Sequence, residues 1–276
     1  MEGATQMKNQ KQFSPDHINY IKKNKQTTTF IFISRFAILI LLLGVWELFA
    51  QTGIIDSFIS SSPSRILVTL KDLFYENNLV YHVYITMYET IIGFLIAVIL
   101  GYLIALILWW SNTLRRILEP YIVVLNSIPK IELGPIIIVW FGSGSKAIIF
   151  MAILIGIIVA IMTMLGGFLS TDNNKILLLK SMGANKLQIL TKLVIPGSLP
   201  TLINMLKISV GMAWVGSIMG EYLVSRAGLG YLIVYGGQVF KLDLVMASTV
   251  VLCLLATIMY ATVALLEKCI IRYKDK

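Results

Sequence analysis

The sequence predicts an all-α, polytopic membrane protein of about six transmembrane helices, and three observations carry that reading. Hydrophobic residues make up 57% of the 276 positions and charged residues only 13%, against about 45–50% and about 25% in soluble globular chains. The apolar residues gather in runs long enough to cross a bilayer core of about 30 Å. The positive charge sits between those runs rather than in them. A net charge of +9 marks by itself only an electrostatic footprint; placed this way it argues for membrane orientation and against nucleic acid.

Residues 1–29 are polar and basic, with Lys8, Lys11, Lys22, Lys23 and Lys25, and are expected to form a disordered tail or a short surface helix. Residues 30–50 make the first apolar run. It starts late, is long and lacks a small-residue cleavage site, so it reads as a retained helix rather than a cleaved signal. Residues 51–81 mix polar and apolar groups. Within them Ser62 suits an N-cap and Pro63 a first helical position, while Ile66, Leu67, Leu70, Leu73 and Phe74 line one face. That pattern predicts an interfacial helix on the extracytoplasmic side. Residues 82–269 form the core.

Further runs cover 82–110 (ending in Trp109 and Trp110), 117–141, 147–169, 202–224 and 244–266. Pro120, Pro129 and Pro135 interrupt the third run, which is expected to be bent or broken. Membrane depth tolerates such a break where protein or a water-filled path covers the freed backbone. Between the fifth and sixth runs, SRAGLGYLIVYGGQVFKLD reads as a loop or re-entrant piece, and 270–276 form a basic tail. Six crossings put both termini on one side. The 1–29, 111–119, 170–196 and C-terminal segments hold 15 Lys and Arg while the alternate side holds 5. That excess places both termini and the 170–200 loop in the cytoplasm.

That loop holds the most informative stretch, KILLLKSMGANKLQILTKLVIPGSLP (175–200). Residues 176–182 make about two helical turns. Gly183 can take the positive φ that reverses the chain. Leu187, Leu190, Leu193 and Val194 then recur near helical spacing, giving a second helix one apolar face, before Pro196 and Pro200 open the next run.

The spacing resembles the coupling loop of ATP-binding-cassette (ABC) importer permeases, written EAA-x3-G-x9-I-x-LP. Leu193 falls at the tenth position after Gly183, followed by Val194, Ile195 and Pro196; Leu177, Leu178 and Leu179 occupy the Glu-Ala-Ala positions. SPSRILVTL, NSIPKIELGPIIIVWFGSG, GLGYLI and FKLDLVMA extend the likeness over roughly four-fifths of the chain. Together they resemble permeases of nitrate/sulfonate/taurine-type importers, a group that includes carriers of thiamine-precursor pyrimidines. The resemblance implies a type I importer permease fold in a bacterial inner membrane. It also implies a second permease copy, two cytoplasmic ABC ATPase subunits and an extracytoplasmic substrate-binding protein. On the same ground Lys180, Gly183, Ala184, Lys186, Leu187, Leu190, Leu193, Ile195 and Pro196 are expected to meet the ATPase, the leucines as apolar contact and the lysines as charged rim.

Within the spans, Asn126, Lys130, Glu132, Trp214 and Glu221 are candidates for a translocation path, because ionisable groups at membrane depth face protein or water rather than lipid. Lys130 and Glu132 equally suit a mutual pair or a contact to freed backbone groups, and Glu221 suits a gate-side or interface contact. Lys207 is expected to snorkel toward headgroups, and Gly216 and Gly220 to pack helices within the subunit. Cys253 and Cys269 lie about 24 Å apart along one helix, so they cannot bridge within it and read as packing residues. GSGSK (142–146) is a turn without phosphate-loop spacing. With only His17 and His82, no metal cluster or hydrolytic triad assembles, so neither enzyme nor cofactor is expected. A stand-alone secondary carrier and a non-transporting scaffold are the rival readings, the carrier weakened by the lack of paired broken helices in two halves.

Overall fold

The computed structural model describes residues 15–54, 56, 61–75 and 78–271; the readings made on 1–14 and 272–276, and on the side chain of Cys269, lie outside them. Among the described residues every regular element is helical. The chain divides into two units, Met1–Ser64 and Arg65–Lys276.

In the first unit, α1 runs unbroken from Pro15 to Gln51 and contains a candidate span over Thr29–Gln51. Residues 15–29, expected as a disordered tail or a short surface helix, are helical and continuous with the apolar run expected at 30–50. No Gly or Pro interrupts residues 16–29, and helical hydrogen bonds continue past the point where the side chains stop being apolar. Glu47 near the end of α1 accepts from the Ser64 amide at 3.0 Å and the Ser64 hydroxyl at 2.7 Å.

In the second unit, α2 (Pro63–Tyr75) buries Ile66 and Leu73. Leu67 and Phe74, expected on the same face, are exposed. Arg65 pairs with Asp243 at 2.6 Å, tying α2 to the start of α12 (Leu242–Ile271). The core is built by α3 (Leu79–Trp110), α6 (Ser145–Leu169) and α10 (Leu199–Val224). Of their apolar windows α6 is the most buried, at 56%, against 11% for α12; α6 is the central post.

Small residues set the approach. A Cβ at Gly93 or Gly101 of α3 would lie 2.5 Å from the Cβ of Ala152 or Ala160 on α6. One at Gly216 of α10 would lie 2.5 Å from the Ala152 Cα, and one at Gly220 would lie 2.9 Å from the Ile148 Cα. Lipid tails are as apolar as leucine, so helices in a bilayer gain by close packing, which small residues permit. Gly216 and Gly220 do pack within the subunit.

The third span is bent as expected: α4 (Asn112–Ser127) meets Lys130–Phe141 at 85°. Only Pro129 marks the break. Pro120 sits inside α4, and Pro135 stands in the first turn of α5 (Gly134–Phe141), where a missing N–H costs nothing. After α10, α11 (Leu229–Gln238) has 10 residues, about 15 Å of helix and too short to cross. Two further expectations are corrected. Lys207 does not snorkel; it pairs with Glu267 at 2.6 Å. Cys253 is exposed rather than packed.

Gly216→Val should cost about 1–3 kcal/mol of stability or block folding, because backbone on α6 stands where the side chain would go. Gly211→Ala, with nothing within 4 Å, should be neutral or stabilise by about 0.5–1 kcal/mol. Thermal unfolding of the purified variants in detergent micelles checks both.

Candidate functional site

Two irregular regions lie at opposite ends of α3. At the Trp110 end, α7 (Asn173–Ser181) starts on Asp172, whose carboxylate accepts from the Asn174 amide. It closes through Ala184 N–H to Leu179 C=O at 2.9 Å and Gly183 N–H to Lys180 C=O at 3.0 Å. This pair of bonds is the Schellman closure, which requires a left-handed residue at the glycine position; Gly183 has φ 81°. Asn185 and Gln188 then form a reciprocal capping box that starts α8 (Lys186–Ile189). The helix widens to a π turn over Leu190–Val194 before α9 (Ile195–Gly197). Pro196 has no N–H to offer the Lys192 carbonyl, and the wider turn makes room for its ring.

The expected apolar face divides. Leu190 and Val194 turn inward with Ile189, Leu193 and Ile195 are half-buried, and Leu187 is exposed. The outward surface instead comprises Leu177, Leu178, Met182 and Leu187, each more than half exposed. Lys180 and Pro196 are exposed and Ala184 is half-buried. Lys186 reaches back: its Nζ donates to the Trp110 carbonyl and lies 5.2 Å from the Trp110 ring and 5.9 Å from that of Trp109. A cation at a helix C-terminus, over aromatic faces, is favourable on both counts.

At the bend in the third span, Lys130 Nζ donates to the Asn126 carbonyl at 3.0 Å. This is the contact to freed backbone, not a pair with Glu132. Asn126 and Glu132 are exposed. Trp214 is buried in the bundle with its indole N–H unpartnered.

At the His82 end, the N-terminus of α11 is capped entirely by side chains from elsewhere. Gly228 (φ 115°) precedes it without a side-chain cap of its own. Gly228 N–H donates to His82 Nδ1 at 3.0 Å, Leu229 N–H to Thr86 Oγ1 at 2.8 Å and Gly230 N–H to Glu221 Oε2 at 2.6 Å. The Glu221 carboxylate also faces the Tyr231 amide. A carboxylate at a helix N-terminus satisfies orphan donors and meets the positive end of the helix dipole. His82 stacks on Tyr231 at 6.2 Å. One turn deeper, Thr90 and Ser217 share a hydroxyl bond of 2.6 Å, and Ser217 donates to the Ala213 carbonyl. Of the sequence candidates only Glu221 belongs to this cluster; Thr86, Glu89, Thr90 and Ser217 were missed. Their signal was present as a polar stripe at helical spacing, 82, 86, 89 and 90 on α3 and 217 and 221 on α10. A cavity of about 280 Å³ opens here, lined by Tyr81, Glu89, Ser143, Ser145, Ser225 and Arg226 among others. Among the described residues no group of three or more His, Cys, Asp and Glu could hold a metal ion.

Comparison with known proteins adds the family. The family described as binding-protein-dependent transport system inner membrane component matches residues 97–272. The chain is 29% identical to the formylaminopyrimidine transport permease of Halalkalibacterium halodurans, over 86% of this chain and 94% of that one. It is 26% identical to the taurine transport system permease of Escherichia coli, over 79% and 81%. Among solved structures, an inward-facing methionine ABC transporter superposes with a TM-score of 0.62 at 21% identity, covering 70% of this chain and 95% of that one. That likeness shows the fold.

Glu221→Ala should strand buried amides at the start of α11, at about 1–3 kcal/mol for each donor left unsatisfied, while Glu221→Gln keeps an acceptor and should lose much less. Hydrogen–deuterium exchange of the amides at 228–231 should be faster in the alanine variant and close to wild type in the glutamine one.

Proposed function

The chain belongs to the binding-protein-dependent transport system inner membrane components, and on that premise we propose how this ABC importer permease subunit couples ATP hydrolysis, in a separate cytoplasmic ATPase, to passage of a small solute. The observation that carries the reading is the loop around Gly183: a closed Schellman turn that holds Leu177, Leu178, Met182 and Leu187 outward beside Lys180.

In this reading the loop and both termini lie in the cytoplasm, as the lysine and arginine excess favours. A second copy of the chain completes the path, and an extracytoplasmic binding protein delivers the solute at the His82 end. ATP closes the ATPase pair and draws the two Gly183 loops together. Lys186, bonded to the last carbonyl of α3, passes that displacement to a helix of 32 residues, about 48 Å long. The spans then rock as near-rigid bodies. The chain itself carries no catalysis. Asn126, Glu132 and the Lys130 bend, exposed in the single chain, are the residues offered to the path; Trp214 and Glu221, buried inside the subunit, act on it through packing. The solute is a small anion or heterocycle, by analogy with relatives named for taurine and formylaminopyrimidine transport.

Gly183→Val should abolish uptake and substrate-stimulated ATP hydrolysis by the reconstituted complex while the complex still inserts, because no β-branched residue holds φ near 81° without strain. Full transport by that variant would overturn the coupling role. Uptake by the chain alone, lost on collapsing an ion gradient, would instead favour a secondary carrier. Leu187→Glu and Leu190→Ala should separate docking from folding. The first should weaken ATPase association with little loss of stability. The second should cost about 2–5 kcal/mol as a buried truncation, read by unfolding and by co-purification of the ATPase.

A further inference from the structure

The cluster at the His82 end contains two buried carboxylates, and neither forms a salt bridge with the described lysines and arginines that pair elsewhere. Glu89 and Glu221 are each 1% exposed. The Glu89 carboxyl lies against the Ser145 hydroxyl and the Glu221 carboxyl, and Glu221 lies against Thr86 as well as the α11 amides. One oxygen of each, Oε2 of Glu89 and Oε1 of Glu221, is buried without a hydrogen-bond partner. Arg65 pairs with Asp243 and Lys207 with Glu267, neither of them with these two carboxylates.

Of the nearby ionisable groups, Tyr81 and Arg226 line the cavity with Glu89, Tyr222 neighbours Glu221, His82 and Tyr231 flank the start of α11, and Lys146 follows Ser145 in sequence. Lys146 and Arg226 are exposed. His82 presents an accepting Nδ1 to Gly228, which requires that nitrogen to be unprotonated. The dipoles of α6 and α11 supply only fractional positive charge. Two like charges side by side in a low dielectric do not both persist unneutralised.

We propose that Glu89, Glu221 and the Ser145 hydroxyl bind one small monovalent cation, a sodium ion or a proton, that enters through the 280 Å³ cavity. The unpartnered oxygens and the hydroxyl are hard donors of the kind that hold alkali cations or share a proton. Glu89 itself lines the cavity, and its Oε2 is the oxygen left without a hydrogen-bond partner. Because Glu221 also caps α11, the bound cation fastens α3, α6, α10 and the start of α11 at one point. The site serves that end of the bundle whatever solute crosses elsewhere.

The test uses the purified full chain in nanodiscs of uncharged phosphatidylcholine. Radioactive sodium is titrated at constant ionic strength with choline as the replacement ion, and the protonated-carboxyl band is read by difference infrared spectroscopy on the same samples. One sodium bound per chain, with affinity reduced at least tenfold in both Glu89→Gln and Glu221→Gln, identifies sodium. No sodium but a protonated-carboxyl band at neutral pH, lost in Glu89→Gln, identifies the proton. Neither signal, or sodium binding unchanged in both variants, overturns the site. The glutamine variants keep the shape and one acceptor of the originals, and size-exclusion profiles confirm their folding. Neither readout involves transport, so failure here leaves the importer reading standing.

Discussion

The distance between backbones at α6 governs the rest of the molecule. Ala152, fully buried, is approached from one side by Gly93 of α3 and from the other by Gly216 of α10. No larger residue fits either approach without moving a helix. In a lipid solvent the hydrophobic effect does little to hold helices together, and this interdigitation supplies the packing that does. It also brings α3 and α10 close enough for Thr90 to reach Ser217.

Polar groups are then placed where the close approach leaves backbone unsatisfied. At membrane depth an amide without a partner costs several kcal/mol, and each irregular region has found its own solution. The start of α11 borrows His82, Thr86 and Glu221. The bend at Pro129 borrows Lys130, which returns to the Asn126 carbonyl. The end of α3 borrows Lys186. His82 and Thr86, which serve the first, and the Trp110 carbonyl that Lys186 meets lie toward opposite ends of one long helix, α3.

Several features were legible as residues. The spans followed from apolar runs, and the bend from three prolines in one of them. The turn at Gly183 followed from a lone glycine between two helical patterns, and its φ of 81° agrees. Other features were not legible. Leu187 and Leu190 obey the same spacing, yet one is 56% exposed and the other 8%, because only Leu190 faces the rest of the bundle. Lys207 looked like a residue bound for headgroups until Glu267, 60 positions later, proved to stand beside it. Glu89 carried no motif and lay in a run otherwise read as a plain span.

Local chemistry thus dictated which stretches are helical, which are long enough to span a bilayer, where the chain reverses and which family it belongs to. Each of those depends on near neighbours and on the solvent. The three-dimensional packing alone decided which face of the reversed helix is free, which charges pair and which carboxylates share a pocket. Those contacts join residues up to 178 positions apart. Such contacts depend on the rotation and spacing of whole helices, and close glycine packing sets these by a few tenths of an ångström where no run of adjacent residues encodes them.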